Sequence, residues 1–256
     1  MNDLTIPPLK NRAGLLESAL YKLYTRSARV SNIEEIGDAF RIVTLDGKAL
    51  RGAEWTPGDK IQIQLGGWTQ RTYTPMGWDA DGGRTRILIY LHTGGHGDPS
   101  ERNGPGARWA RALRKGDDCV VFGPRKSIRL TDPHATVIVV GDETSLGLAA
   151  ALADHISAPT VVGLFETSQP DVTARMVERL ELQGAALYAR RNDDAHFTEM
   201  EARLAALLRA HPEAEVILTG RAGAIQRMSK LLKQENVAAG RRQSKAYWGP
   251  GKTGLD

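Results

Sequence analysis

Two rhythms of apolar and polar residues divide the chain, and the change falls near residue 132. Before it, SARVSNIEEI, DAFRIVTLDG, GDKIQIQLGG, RTYTPMGWD and RTRILIYLH are short alternating runs, punctuated by Gly, Asp and Pro. A period of two predicts strands with one buried face. A helix, GPGARWARALRKGD, and a further strand, DCVVFGP, complete this half. Short strands at such spacing predict a small antiparallel Greek-key barrel.

After residue 132 the period lengthens. TVIVVGD is a continuous apolar run, as expected of a strand buried on both faces of a parallel sheet. A small-residue helix, TSLGLAAALADHI, follows. Then strands TVVGLFE, AALYAR and EVILTG alternate with helices DVTARMVERLEL, HFTEMEARLAALLRA and AGAIQRMSKLLKQE. That order predicts a doubly wound parallel sheet. We therefore expect a barrel domain over residues 1–131, with a helical lead-in, and an α/β domain over residues 132–256. The tail RRQSKAYWGPGKTGLD reads as irregular.

RTYTPMGWD departs from an ordinary half-buried strand. Arg71 and Tyr73 share one face, where an aliphatic residue is usual. Alone, the segment reads as an edge strand with a snorkelling arginine. The start of the helix at residues 103–110, NGPGARWA, offers a second feature. Pro105 suits a first helical position, and Gly104 and Gly106 clear side chains from the free N–H groups and the positive end of the dipole. This is either a plain helix cap or a phosphate site. With a diphosphate there, Arg71 could grip it with both arms of its fork, Tyr73 could lie against a planar ring system and Thr74 could bond a ring edge. Those roles describe a flavin dinucleotide.

Composition narrows the classes. Of 256 residues, 41% are hydrophobic and 25% charged, ordinary for a soluble globular protein. Cys119 is the only cysteine, which leaves no intrachain disulfide and no cysteine-based metal site. His92, His96 and Asp98 are loop residues read as solvent-facing, so no metal site is expected. The serine of GDETSLG does not fit a nucleophile elbow. A net charge of +4 without a basic block interleaved with aromatics is far from a nucleic-acid signature, so no nucleic-acid partner is expected. With no apolar run long enough for a bilayer and no signal-peptide core, we expect a cytoplasmic protein without membrane contact, and a monomer.

RTYT, Leu91–His92, GPGARWA, FGPR, GDETSLGLAAAL and the late YWGPG stand in order from about Arg29 to Gly251. Together they resemble the siderophore-interacting protein family, flavin-dependent ferric-siderophore reductases of the ferredoxin-reductase-like superfamily. The resemblance implies that Arg71, Tyr73 and Thr74 bind FAD. His92 and the segment containing Gly104, Pro105, Gly106, Ala107 and Trp109 would close around the ribityl and diphosphate portion. Gly141, Asp142, Glu143 and Thr144 would open the NADPH or NADH side, and Tyr247 and Trp248 would lie near the other flavin face. Trp248 could equally be a core aromatic. Hydride would pass from NAD(P)H to FAD, then single electrons to a ferric siderophore or other ferric chelate. Arg190, Arg191, Lys245 and Lys252 are the cations expected to attract such an anion.

Three features depart from the family pattern. Met76 stands near a usually basic position, the loop at residues 93–103 looks long, and Arg221 replaces a usual glutamate. Arg221 reads either as a 2′-phosphate contact favouring NADPH or as a surface arginine. No G-x-G-x-x-G follows the first strand of the α/β half. Two other readings stay open: a flavin-dependent reductase serving another acceptor, such as a small redox protein, and a flavin-free ligand-binding protein on the same fold.

Overall fold

The computed structural model describes residues 25–66, 69–92, 104–132, 134–155 and 160–249. The lead-in, the 93–103 loop with His96 and Asp98, and Lys252 lie outside the described residues.

The first half forms a seven-stranded antiparallel sheet from β1 (Thr25–Ile36), β2 (Phe40–Asp46), β3 (Lys60–Gly66), β4 (Thr69–Tyr73), β5 (Pro75–Asp79), β6 (Arg84–Tyr90) and β7 (Asp118–Arg125). Spatial order is β4-β3-β7-β1-β2-β6-β5. The two edge strands, β4 and β5, are consecutive in the chain with only Thr74 between them. A sheet whose edges are joined by one residue must curl back on itself, and Thr74 marks the barrel seam. RTYTPMGWD, expected as one strand, is thus two. Alternation runs straight across Thr74, but Pro75 has no N–H for the β3 ladder, and the chain crosses to pair with β6. Helix α1 (Pro105–Ala112) buries Ala110 in the barrel core beside Ile61, Ile63, Val43 and Val121.

The second half is a five-stranded parallel sheet of β8 (Val137–Asp142), β9 (Val161–Thr167), β10 (Ala185–Ala189), β11 (Glu215–Arg221) and β12 (Arg242–Trp248), ordered β10-β9-β8-β11-β12. The tail expected to be irregular supplies β12, which pairs in parallel with β11. Helices α2 (Leu146–His155) and α3 (Pro170–Arg179) cover one face, while α4 (His196–Ala210) and α5 (Ala222–Gln234) cover the other. Val137 and Val139 of β8 point into the first layer, Ile138 and Val140 into the second.

The first layer also takes in Phe40, Ile42, Met76 and Tyr90 from the barrel, so one core spans both halves. This is why α2 reads as uniformly small and apolar: Leu146 through Leu152 are all buried, wedged between sheet and barrel. Met76, 1% exposed, belongs to this layer beside Gly147 of α2. The departure at Met76 is therefore a packing feature of the shared core and opens no route for an anion. Among the described residues no helix is long and apolar enough to cross a membrane.

Candidate functional site

In a doubly wound sheet, ligands sit beyond the carboxyl ends of the strands where the order reverses. Here the reversal lies between β8 and β11, which end at Asp142 and Arg221. The barrel seam faces this crevice. The Thr74 hydroxyl is 3.5 Å from that of Tyr247, and the His92 ring meets the Trp248 ring edge-on at 5.5 Å.

On the barrel side, Arg71 pairs with Ile63 in the β3–β4 register, and Tyr73 with Ile61. Both side chains accordingly emerge on the core-facing side of the sheet. Arg71 lies across the start of α1, where a Cβ on Gly106 would stand 3.3 Å from its Cγ. Gly104 is the N-cap and Pro105 follows, so the first turn keeps free N–H groups next to the guanidinium. Among the described residues Arg71 donates to Gln70 O at 2.8 Å and meets no carboxylate. A cation and a helix N-terminus converge here, a combination that favours an anion. Ala107 is buried beneath, and the Trp109 ring lies 6.3 Å from Tyr73, tilted by 34°.

On the sheet side, Gly141 and Asp142 end β8, and Glu143 and Thr144 form a tight turn into α2. Asp142 accepts the Thr144 N–H at 2.9 Å and the Trp248 indole N–H at 2.7 Å. Glu143 is buried. Its Oε1 accepts the Ser168 N–H at 2.6 Å and the Ser168 hydroxyl at 2.9 Å, and its Oε2 pairs with Arg190 at 3.0 Å. The Ser168 hydroxyl in turn lies 2.8 Å from that of Tyr90, which ties the barrel to the sheet.

Arg190 and Arg221 correct two expectations. Arg190, with its side chain 14% exposed, is held between Glu143 and Glu166 and stands 5.7 Å from the Trp248 ring. Its charge is balanced by buried carboxylates, so it is no surface cation awaiting a passing anion. Arg221 is no surface arginine either: both arms of its fork bind Glu166 at 2.8 Å, and one reaches Asp194. Its Nε and one Nη are thus committed to carboxylates within the protein. Of the other expected cations, Arg191 is exposed and Lys245 is half-buried on β12.

Glu166 has no exposed surface, and it also accepts from Nε2 of His196 at 2.9 Å, whose Nδ1 accepts the Arg191 N–H. Burial alone would raise its carboxyl, yet the hydrogen bonds from His196 and Arg221 and the charge of Arg190 hold it down to about 2. His92 is pushed down to about 4, chiefly by burial and partly by Arg190 and Arg111, against the pull of Glu143. Its imidazole is therefore neutral at pH 7. Sequence reasoning missed Tyr90, Ser168, Glu166 and His196. The one trace of them is that TVVGLFE ends its apolar run on a carboxylate. Among the described residues no cluster of His, Cys, Asp or Glu is placed to hold a metal ion.

These two facing halves, a barrel whose glycine-flanked helix start lies beside Arg71 and a parallel sheet with its crevice turned toward the seam, make a fold like that of the ferredoxin reductases. Residues 67–128 match the family model of the siderophore-interacting FAD-binding domain. That match bears out, over the barrel segment, the resemblance read from the motifs. Among solved structures, a siderophore utilization protein from T. fusca is similar, with 23% identity, a TM-score of 0.67, and 91% of this chain and 95% of that chain covered. A siderophore-interacting protein from Aeromonas hydrophila shares 19% identity and a TM-score of 0.66, over 88% of this chain and 98% of its own. Phthalate dioxygenase reductase, described as transferring electrons from pyridine nucleotides to [2Fe-2S], shares the fold at a TM-score of 0.67 and 12% identity, over 88% of this chain and 68% of its own. No curated protein matches the chain by sequence.

Proposed function

We propose that the protein is a flavin-dependent reductase that draws on NADPH or NADH and reduces a ferric siderophore. The observation that carries this reading is the placement of the barrel seam against the switch-point crevice, with Thr74 next to Tyr247 and His92 next to Trp248. A planar group on the seam and a nucleotide in the crevice would lie against one another.

The residues present fit FAD. Arg71 and the free N–H groups of the α1 first turn would hold its diphosphate, Tyr73 would flank the ring system, and Thr74 would donate to or accept from a ring edge. Bound FAD would supply the conversion between a two-electron donor and one-electron acceptors. The chain's own contribution is orientation, charge and exclusion of water. Neutral His92 and the indole of Trp248 close the gap between the halves, while the Arg190–Glu143–Ser168–Tyr90 network braces it. Ferric iron enters as substrate. Oxygen ligands hold Fe(III) more tightly than Fe(II) because their attraction scales with ionic charge, so reduction releases the metal. Arg191 and Lys245 are the described cations that would attract an anionic chelate.

An assay with FAD-loaded protein, NADPH or NADH, a ferric siderophore and an Fe(II)-specific chromogenic chelator tests the reading. Fe(II) should form only when FAD and nucleotide are both present. Flavin reduction without Fe(II), but with electrons delivered to a [2Fe-2S] protein, would replace the siderophore with a protein acceptor. Absence of FAD uptake would leave a binding role on this fold.

A further inference from the structure

Trp248 ends β12 at the point where the two halves touch, and three groups fix its indole. Asp142 Oδ2 accepts the indole N–H at 2.7 Å, the Arg190 guanidinium carbon lies 5.7 Å from the ring centroid, and His92 meets the ring from the barrel side at 5.5 Å. Asp142 has no freedom to swing. Its Oδ1 accepts the N–H and hydroxyl of Thr144, and a Cβ on Gly220 would fall 2.5 Å from its Oδ2. β11 therefore carries glycine there, at a φ of +92° that other residues rarely adopt.

The two carboxylate oxygens divide the task. Oδ1 caps the turn into α2, and Oδ2 holds the indole. If capping were the whole role, asparagine or serine would serve equally. Each would also avoid the cost of a fully buried carboxylate. Only a carboxylate presents acceptors on both sides at once, because an amide has one acceptor oxygen and its nitrogen donates.

We propose that Asp142 is a positioning residue: it pins the Trp248 indole across the crevice and so sets how closely a planar heteroaromatic ring at the ends of β8 and β11 approaches the barrel seam. This rests on the flavin and nicotinamide reading and deepens it, assigning Asp142 a task that needs no contact with either nucleotide. Burial, and then the charge of Glu143, push Asp142 up to about 6; Arg190 opposes this and Glu166 adds to it. Among the described residues, His92 beyond the indole and the Tyr247 hydroxyl at the seam are the other titratable groups next to the pair.

The test uses Asp142→Asn, Trp248→Phe and the double variant of the full chain, loaded with FAD and without it. In a 15N-labelled protein the Trp248 indole N–H resonance is the one that Trp248→Phe removes. Asp142→Asn should move that resonance and speed its exchange with solvent, leave the other indoles in place, and abolish its titration near pH 6. In the loaded protein, Asp142→Asn and Trp248→Phe should each change the nucleotide KM by about 2- to 30-fold in the same direction, with a smaller effect on kcat. The double variant should do no more than either alone. An unmoved Trp248 resonance in FAD-loaded Asp142→Asn, or additive changes in KM, would overturn the positioning role alone. Failure of all variants and of the parent to take up FAD would overturn the flavin reading, and with it the claim about ring approach.

Discussion

Arg71 stands opposite Ile63, which is fully buried, and so places a guanidinium on the core-facing side of a strand. Such a charge is costly unless something answers it, and what lies beside it is a glycine-flanked helix start that is itself positive. If FAD binds as proposed, its diphosphate would supply the answering charge. Arg71→Ala should weaken FAD binding by about 10- to 100-fold in a visible or fluorescence titration, the loss expected for charge-assisted hydrogen bonds. Gly106→Ala should weaken it by displacing Arg71 while leaving the melting temperature within a few degrees, since its Cβ would meet a flexible side chain. Buried titrating groups give a second prediction. Glu166, at about 2 against 4.5 in an unfolded chain, binds its proton less tightly when folded. Its stabilisation is complete above 4.5 and is lost as pH falls from there toward 2. His92, at about 4 against 6.5, likewise costs stability as pH falls between those values. Asp142, at about 6 against 3.8, has the opposite sign: the folded state holds its proton more tightly, so acidification over that window adds stability. The last two largely offset one another. The urea midpoint should therefore vary little from pH 7 to about 5 and fall steeply below 4.5. Glu166→Gln should lower the midpoint at neutral pH and flatten the acid limb; an unchanged limb would assign acid lability to other groups.

β8 and β11 illustrate how a strand end becomes a site. Gly220, still paired with Ala246 of β12, sits at φ +92° directly over the Asp142 carboxylate, so the two strand ends fit only because one lacks a side chain. Gly220→Ala adds both backbone strain and a clash with a buried, hydrogen-bonded group. It should cost about 1–3 kcal/mol in thermal or urea unfolding, well beyond an ordinary surface change. The same elements show what sequence patterning reaches. β8, α2, β9 and β11 were legible because burial on both faces leaves continuous apolar runs. β12 was not, because RQSKAYW is a half-buried strand at the sheet edge and needs only β11 for its pairing. Nor was the break at Thr74, since alternation continues across it while the chain changes partners. Arg71, Gly104 and Gly106 could be proposed together because a local anomaly marks each of them. The commitments of Arg190 and Arg221 were hidden, because their carboxylate partners lie 24 or more residues away in the sequence and leave no local spacing to read.

Contacts that join the barrel to the α/β half differ widely in size, and two of them mark the range. Glu34 of β1 and Arg179 of α3 form a two-armed ion pair at 2.6 and 2.9 Å, but both side chains are at least one-third exposed. Such pairs contribute about 0–1 kcal/mol. Met76, buried against Gly147 in the core that spans both halves, is worth about 2–5 kcal/mol on truncation to alanine. Glu34→Ala should accordingly leave unfolding cooperative and nearly unshifted. Met76→Ala should destabilise the protein and loosen the seam against the crevice, weakening FAD and nucleotide binding together; calorimetry alongside ligand titration checks both. A fixed relation between the halves matters because the account requires one site built from two folds. The most direct test is an anaerobic titration of FAD-loaded protein with NADPH and with NADH, followed by a ferric siderophore, monitored at the visible flavin band. Nucleotide should bleach the band, and the ferric siderophore should restore it. A protein that stays colourless with added FAD, or a bound flavin that neither nucleotide bleaches, would contradict that expectation.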